Sequence, residues 1–340
     1  MSAAETASTK AERRKFRLPE RFYTMQAWVA LVIVFVLAIM LSPNRGSGNV
    51  FLRPDNLLNI VRATSEIGII AIGMTLVILI GGIDLSVGAV LGLAATGTAI
   101  LLTADGLGVF PTVVIVLLIG VVFGTVQGYI SARFGLQAFI VTLAGMQVAR
   151  GLARIWSGGQ GVPLAYGDGP GLAPPVFSLL NERLFGVIPY PAIIFLIVAV
   201  IALFVMDKSV FARQVYAIGG NEKAARLSGV PVIRVKVAVF TISATLAALA
   251  GIIHAGQLNQ GSPNDGVAYE MDAIAAVVIG GTSLAGGVGG VSGTIAGAIL
   301  LGVLNNILAL NNVDSNLQLI IKGVIIVAAA MLQSFRSDRG

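Results

Sequence analysis

Long apolar runs alternate with short polar segments along almost the whole chain. Ten runs come close to the roughly 20 apolar residues that a helix needs to cross a bilayer. They cover residues 26–42, 63–81, 85–103, 112–130, 136–156, 189–206, 235–257, 270–286, 290–310 and 316–334. Because a backbone in lipid must satisfy its own hydrogen bonds, these runs are expected to be helical. The pattern therefore predicts an all-α integral membrane protein with about ten transmembrane helices.

Two glycine-rich segments interrupt the apolar runs and resemble each other. IGGIDLSVG (80–88) shares Ile, Gly, Gly, Leu and Gly with IGGTSLAGG (279–287) at one constant offset. Both segments stand at the joint between two apolar runs, and internal repeats are common in transporters. Chance similarity is the alternative in so glycine-rich a chain. We predict a repeated helix break, whose structural residues are Gly81, Gly82, Asp84, Gly280 and Gly281.

Composition agrees with a membrane protein and narrows the possible chemistry. Apolar residues make up 56% of the chain and charged residues only 11%. A soluble domain usually carries about 25% charged residues. The chain has no cysteine, which excludes disulfides, and a single histidine, which argues against an ordinary zinc site. No metal site is therefore expected.

The net charge of +6 arises from lysine and arginine residues that gather in a few loops. Such clusters are typical of orientation signals in membrane proteins, so nucleic acid is not expected as a partner. Six basic residues lie in the N-terminal segment, and six more lie within 207–236. Cytoplasmic loops carry this kind of excess. With ten spans, both termini and this loop are then predicted to be cytoplasmic.

The predicted organisation follows from these charges. Residues 26–335 form the transmembrane domain, which includes a cytoplasmic loop at 207–234 and an outer loop at 157–188. Residues 1–25 and 336–340 are the two cytoplasmic tails. One feature disagrees with this orientation, because it places three arginines on the outside: Arg45, Arg53 and Arg62.

A short helix with both ends marked is predicted inside the cytoplasmic loop. Asn221 is a good N-cap, Glu222 stands where the helix dipole favours an acid, and Gly229 suits a left-handed C-terminal position. About two helical turns are unstable alone in water, so this helix must pack on something. Two interpretations are open. It lies on the membrane surface or its own bundle, or it docks into a cleft of a cytoplasmic partner.

Several kinds of chemistry are missing from the sequence. No stretch fits the phosphate-binding pattern of a glycine, four residues and then Gly-Lys-Ser/Thr, so the chain has no nucleotide-hydrolysing site of its own. Proton-coupled carriers normally bury several ionisable groups. The candidates here are few and stand near predicted helix ends: Glu66, Asp84, His254 and Lys322. This number is small for an ion-driven carrier.

Three segments carry a resemblance to a known family. GGIDLSVGA (81–89), GGNEKAARLSGV (219–230) and YEMDAIAAVVIGGTSLAGGVGG (269–290) resemble the membrane-spanning permease subunits of ribose-type ABC sugar importers. The similarity runs through roughly 50–335. The related branched-chain amino-acid permeases share the architecture but match the first motif less closely. An ion-gradient-driven secondary transporter of a small polar solute remains the alternative.

The resemblance implies a non-enzymatic permease subunit in the bacterial inner membrane. Its expected partners are a second permease copy, identical or not, two cytoplasmic ATP-binding subunits, and a periplasmic sugar-binding protein. ATP is bound by the partner, and no cofactor is expected on this chain. By position, the family's coupling helix falls on the short capped helix. The residues then expected to contact the ATPase subunit are Gly220, Asn221, Glu222, Lys223, Arg226, Leu227 and Gly229.

Asp84 allows two interpretations. A carboxylate in a bundle can hydrogen-bond a sugar hydroxyl, or it can cap the helix expected to begin at Leu85, after glycines that make the turn. The predicted topology places Asp84 at the cytoplasmic mouth of the second and third helices, far from the side where solute arrives. Capping is therefore favoured.

A path for a neutral, hydroxyl-rich sugar is expected to be lined by amides, hydroxyls and aromatic faces. The candidate residues are Gln147, Gln257, Asn259, Asn305 and Asn306. For each, an ordinary interhelical hydrogen bond is the competing interpretation. No role is assigned to His254.

Overall fold

A computed structural model describes residues 20–45 and 48–337. The predicted N-terminal tail therefore lies largely outside the described residues, as does most of the predicted C-terminal tail. The described chain is mainly helical. Its α-helices are α1 Glu20–Leu41, α2 Pro54–Leu79, α3 Val87–Thr103, α4 Val109–Phe134, α5 Ala138–Ser157, α6 Tyr190–Lys208, α7 Val210–Gly220, α8 Glu222–Leu227, α9 Val232–Leu258, α10 Tyr269–Ile279, α11 Val291–Leu310 and α12 Ser315–Ser337.

Every predicted apolar run coincides with a helix, but one run was misjudged in length. Within the described residues, α2, α4, α5, α6, α9 and α11 are long and apolar enough to cross a membrane. Helix α10 has only 11 residues, or about 16 Å, where the run 270–286 predicted a full span. It ends at Ile279 because the glycine-rich segment that follows leaves the helical path.

Short strands depart from the all-α expectation. Within the described residues, three antiparallel pairs of strands form in the connections between helices: β1 with β2, β3 with β6, and β4 with β5. Their bounds are β1 Asn44–Arg45, β2 Gly48–Asn49, β3 Val162–Pro163, β4 Arg183–Leu184, β5 Ile188–Pro189 and β6 Gln260–Gly261. Two residues are too few to leave an alternating pattern in the sequence, so these strands could not be predicted. A 3₁₀ helix at Pro175–Asn181 also lies between α5 and α6.

Helix α3 is the centre of the bundle. All of its 17 residues are buried, and α2 and α9 pack against it. Helices α4, α5 and α6 instead expose many large apolar side chains, such as Val122, Leu152 and Phe204. A helix that is apolar all round belongs in the interior or in lipid. The bundle therefore buries α3 in protein and leaves the outer faces of its neighbours for the bilayer or another subunit.

Glycines at four-residue spacing bring α4 directly against α9. An added Cβ at Gly124 would overlap the carbonyl oxygen of Phe240, and one at Gly120 would lie 2.8 Å from the carbonyl oxygen of Ala244. Small residues at this spacing let two helix backbones approach closely in a membrane. These glycines therefore serve tight packing inside the bundle.

This contact predicts a specific loss of stability in Gly124→Ala. The new methyl group has no space against the backbone of α9, and overpacking of this kind costs about 1–3 kcal/mol. Gly151→Ala in α5 is the matched control, because nothing lies within 4 Å of its added Cβ. Thermal unfolding in mild detergent is expected to show a lower midpoint for Gly124→Ala alone. Equal midpoints for the two variants would contradict the packing.

Candidate functional site

The first helix break closes α2 with hydrogen bonds typical of a helix C-terminus. Gly81 has a φ of 76°, its N–H donates to Ile78 O at 2.9 Å, and the Gly82 N–H donates to Val77 O at 2.9 Å. This pair of bonds is a Schellman motif, which favours glycine at the left-handed position. The turn thus gives hydrogen-bond donors to carbonyl oxygens in the last turn of the helix.

The second break repeats the same motif one residue out of step with the sequence alignment. Here Gly281 has the positive φ of 88°, and its N–H donates to Val278 O at 2.9 Å. The Thr282 N–H donates to Val277 O at 3.1 Å. Gly281 is therefore the counterpart of Gly81, whereas the alignment paired Gly280 with Gly81. After the motif the breaks diverge, since α3 begins at residue 87 and α11 only at residue 291.

Asp84 holds the first break to α9 and is only 1% exposed. Its Oδ1 accepts hydrogen bonds from the Ser86 backbone N–H at 2.9 Å and the Ser86 hydroxyl at 2.6 Å. Its Oδ2 accepts a hydrogen bond from the Ser243 hydroxyl at 3.0 Å. Both oxygens are thus occupied by protein donors, which supports an architectural role over contact with a solute.

One detail of the capping prediction was wrong. Helix α3 begins at Val87 rather than at Leu85, and Ser86 occupies the N-cap position. Asp84 instead bonds the backbone two residues ahead, a local turn that keeps Leu85 and Ser86 out of the helix. The Leu85 N–H donates to the hydroxyl of Thr142 in α5, and that hydroxyl lies 3.1 Å from Ile83 O. Thr142 of α5 and Asp84 therefore bond the broken backbone, and Ser243 of α9 bonds Asp84 in turn.

The predicted short helix is present as α8, with its predicted cap. Asn221 Oδ1 accepts a hydrogen bond from the Ala224 N–H at 3.0 Å, and Gly229 has a φ of 83°. Ala225 is buried in a cluster with the ends of α2, α7 and α9, so α8 packs on its own bundle through one side. Its other side presents Leu227, which is 89% exposed.

A pair of basic residues fixes the start of α8. Glu222 bonds Lys236 of α9 at 2.7 Å and Arg226 at 3.2 Å. Partial burial raises the pKa of Glu222, but the Lys236 hydrogen bond and then the Arg226 contact outweigh it, so this pKa lies below its ordinary value. Lys223 is exposed. Helix α7, which leads into Gly220 and Asn221, was not predicted, because its 11 residues were taken as loop.

Three of the five candidate path residues are engaged in bonds between segments. Gln257 accepts from Arg62 at 3.0 Å, and Asn259 accepts from the Tyr166 hydroxyl at 2.9 Å. Asn306 exchanges two bonds with Asn56, at 3.0 and 2.8 Å. These contacts fit the competing interpretation, in which such amides join helices.

The remaining two candidates differ from these. Gln147 is exposed on α5. Asn305 has a buried Oδ1 with no hydrogen-bond partner among the described residues. The structure does not bring the five side chains into a single site.

A charged network around the segment 259–268 was missed from the sequence. His254 Nδ1 lies 2.8 Å from Glu66 Oε2, and its Nε2 lies 3.7 Å from Asp265 Oδ1. Arg150 Nη1 donates to the carbonyl oxygens of Pro263 at 2.7 Å and Asp265 at 2.5 Å. Glu66 is central in α2, contrary to the expectation that these groups stand at helix ends. The Glu66–His254 and Arg150–Asp265 partners are 188 and 115 residues apart in sequence, so no local pattern could reveal them.

Comparison with known proteins gives consistent matches over most of the chain. Residues 56–330 match the family described as branched-chain amino acid transport system / permease component. The ribose import permease protein RbsC of Haemophilus influenzae is 40% identical over 326 residues, covering 96% of this chain and 98% of its own. The L-arabinose transport system permease protein AraH of Escherichia coli is 34% identical, with 99% and 98% covered. The xylose transport system permease protein XylH of Escherichia coli is 33% identical, with 92% and 93% covered. No solved structure matches.

The apolar helices and these matches define a multi-pass membrane protein, which in bacteria lies in the inner membrane. The chain belongs to the family of transport-system permease components, since the match covers most of its length. The resemblance to sugar ABC permeases that rested on three motifs is confirmed. Its relatives are named as transport components rather than as enzymes.

Removal of the Asp84 carboxylate is expected to destabilise the bundle. Asp84→Ala leaves three buried donors without their acceptor, and each unsatisfied buried group costs about 1–3 kcal/mol. Asp84→Asn keeps one acceptor oxygen and is expected to lose less. Ser243→Ala removes a single bond and is the mildest control. Thermal unfolding of the purified variants measures the order. An Asp84→Ala variant as stable as the unaltered protein would refute the architectural role.

Proposed function

We propose that this chain is the permease subunit of an ATP-driven importer and forms the path for a monosaccharide or similar polyol by alternating access. The observation that carries the proposal is α8, a capped helix that is buried on one side and presents Leu227 on the other, in a chain of this family. An isolated helix this short needs a surface to hold it, and the exposed side chain offers contact to a further subunit. The relatives' names, which refer to ribose, arabinose and xylose, support the solute class.

The proposed assembly contains two ATP-binding subunits on the cytoplasmic side, where α8 acts as the coupling helix. ATP binds there, because no part of this sequence has a phosphate-binding loop. An extracellular binding protein delivers the solute to the outer loops. In this arrangement the chain has about ten spans with both termini cytoplasmic, and α10 with the second break forms the shortest crossing.

A second permease copy is proposed to cover the polar face of α5. Gln147, Arg150 and Arg154 lie along one side of this helix, at spacings of three and four residues. Gln147 and Arg154 are exposed in the single chain. Polar and charged groups are costly in contact with lipid, so this face requires a protein partner or a water-filled path. Two copies that enclose the path between them would give this face both a protein partner and a water-filled path.

The charged network gives a specific reason to consider a second function, an ion-gradient-driven carrier. Buried ionisable groups are typical of proton relays. Here His254 contacts both Glu66 and Asp265, which is equally what a structural ion-pair network requires. Family membership favours the importer. Uptake that survives ATP depletion while the proton gradient is held would favour the carrier.

Purification of tagged protein from its native host in mild detergent tests the proposal directly. Mass spectrometry is expected to find a stoichiometric ATPase subunit with a phosphate-binding loop. The neighbouring binding protein can then be titrated with ribose, arabinose and xylose. Recovery of the permease alone, together with uptake that persists after ATP depletion, would overturn the importer assignment.

Two substitutions on the exposed side of α8 test the coupling role. Leu227→Asp and Arg226→Glu are expected to abolish uptake and the co-purification of the ATPase subunit, because they place negative charge at the proposed contact. The amount of folded permease is expected to stay unchanged, since both side chains are exposed. Arg226→Glu loses only the largely exposed pair with Glu222, which contributes little to stability, and Lys236 still bonds Glu222. Val210→Asp, at an exposed position at the start of α7, is the control and is expected to transport. Normal uptake by both α8 variants would exclude this contact.

A further inference from the structure

The three motifs that carry the family resemblance meet at one point in the structure. This point, the glycine junction, is formed by backbone of Leu79–Gly81, Gly219–Gly220 and Gly286–Gly287. The first range ends α2, the second ends α7 just before the N-cap of α8, and the third lies in the second helix break. The start of α8 is therefore adjacent to both breaks.

Direct backbone contact holds the glycine junction together. The Gly287 N–H donates to Leu79 O at 2.9 Å, which joins the second break to the end of α2. An added Cβ at Gly219 would overlap that same Leu79 oxygen and would lie 2.5 Å from the Gly287 nitrogen. Gly219 thus packs against the two atoms that form this hydrogen bond, and only glycine leaves enough space for them.

The glycines of the second break complete the contact. Gly286 and Gly287 both have positive φ angles, of 87° and 73°. A Cβ at Gly286 would lie 2.9 Å from the Gly81 nitrogen, and one at Gly287 would lie 2.8 Å from the Gly220 nitrogen. Nearby, the Tyr216 hydroxyl of α7 donates to Gly289 O at 2.9 Å. Contact between backbones has no side chain that can change rotamer and absorb a displacement.

We infer that Gly219 is a positioning residue through which movement of α8 is passed to both helix breaks at once. This inference rests on the proposed function, in which α8 receives the movement from an ATPase subunit. Only Gly220 and Asn221 separate Gly219 from the first residue of α8. A shift of α8 therefore presses on the Leu79–Gly287 bond, and through it on the end of α2 and on the loop before α11. Asp84 then carries the displacement of the first break to α9.

Gly219→Ala and Gly323→Ala form a matched pair that tests the inference. Nothing lies within 4 Å of a Cβ added at Gly323 in α12, whereas one at Gly219 forces the junction apart. The complex is purified from its native host for ATP hydrolysis, and uptake of ribose, arabinose and xylose is measured in cells. Gly219→Ala is expected to retain its ATPase subunit and ATP hydrolysis, while uptake falls about tenfold from overpacking strain of ordinary size. Gly323→Ala is expected to match the unaltered complex.

The possible results distinguish a failure of the junction's role from a failure of the proposed function. Normal uptake by Gly219→Ala, or an equal loss in Gly323→Ala, would overturn the role of the junction. An equal loss of ATP hydrolysis and uptake in Gly219→Ala, with the complex intact, would also overturn it, because a positioning residue separates these activities. Absence of any ATPase subunit from the unaltered preparation would instead contradict the proposed function.

A distance measurement keeps the test valid even if Gly219→Ala fails to fold. The chain has no cysteine, so spin labels attach only at Gly220→Cys and the exposed Ala285→Cys. If the junction moves as one body, the distance between these labels is expected to be the same with and without bound ATP analogue. A distance that changes between the two states would show that α8 moves independently of the second break.

Discussion

In a bilayer, every backbone N–H and C=O group needs a partner inside the protein, and this constraint explains most of the unusual features of the chain. Three segments leave the helical path among the helices: 80–86, 259–268 and 280–290. The first is satisfied by Schellman bonds, Asp84 and Thr142. The second receives Arg150 at two carbonyl oxygens, and the third donates from Gly287 to the end of α2. Irregular backbone among these helices persists because protein groups enclose it and bond it.

Enclosure by close packing also gives these segments a mechanical connection. A helix packed through large side chains can shift while its rotamers adapt, whereas backbone packed on backbone transmits displacement, because packed interiors have low compressibility. The glycine junction joins α7, α2 and the second break in this way, and α8 begins two residues beyond it. After the end of α9, His254 and Arg150 hold the segment 259–268 with charged contacts. The glycine junction and the segment 259–268 are therefore held by different interactions, close backbone contact in the first and charge in the second.

Much of this architecture was predictable from local pattern, and the rest depends on contacts between distant residues. Apolar runs located most of the helices, and Asn221 with Gly229 marked the two ends of α8. Both signals are local, because the length of an apolar run and the chemistry of a helix cap depend only on neighbouring residues. Glycines at four-residue spacing in α4 are typical of a packing face, but which helix they contact is visible only in the fold. The early end of α10 and the step in the helix repeat depend on which glycine takes the left-handed position, which the sequence repeat did not distinguish. The Glu66–His254 pair escaped prediction because its partners are far apart in sequence, where no local residue pattern exists.

Amide hydrogen exchange of the protein in lipid nanodiscs tests the central claim, that the broken segments are enclosed and internally hydrogen-bonded. Peptides covering 80–86 and the Gly286–Gly287 contact are expected to exchange as slowly as α3, although neither segment is helical. The outer bends at 168–171 provide the fast reference, since Asp168, Pro170 and Gly171 are exposed. Exchange in both broken segments as fast as in these bends would show that the breaks are open to water, and would contradict the account.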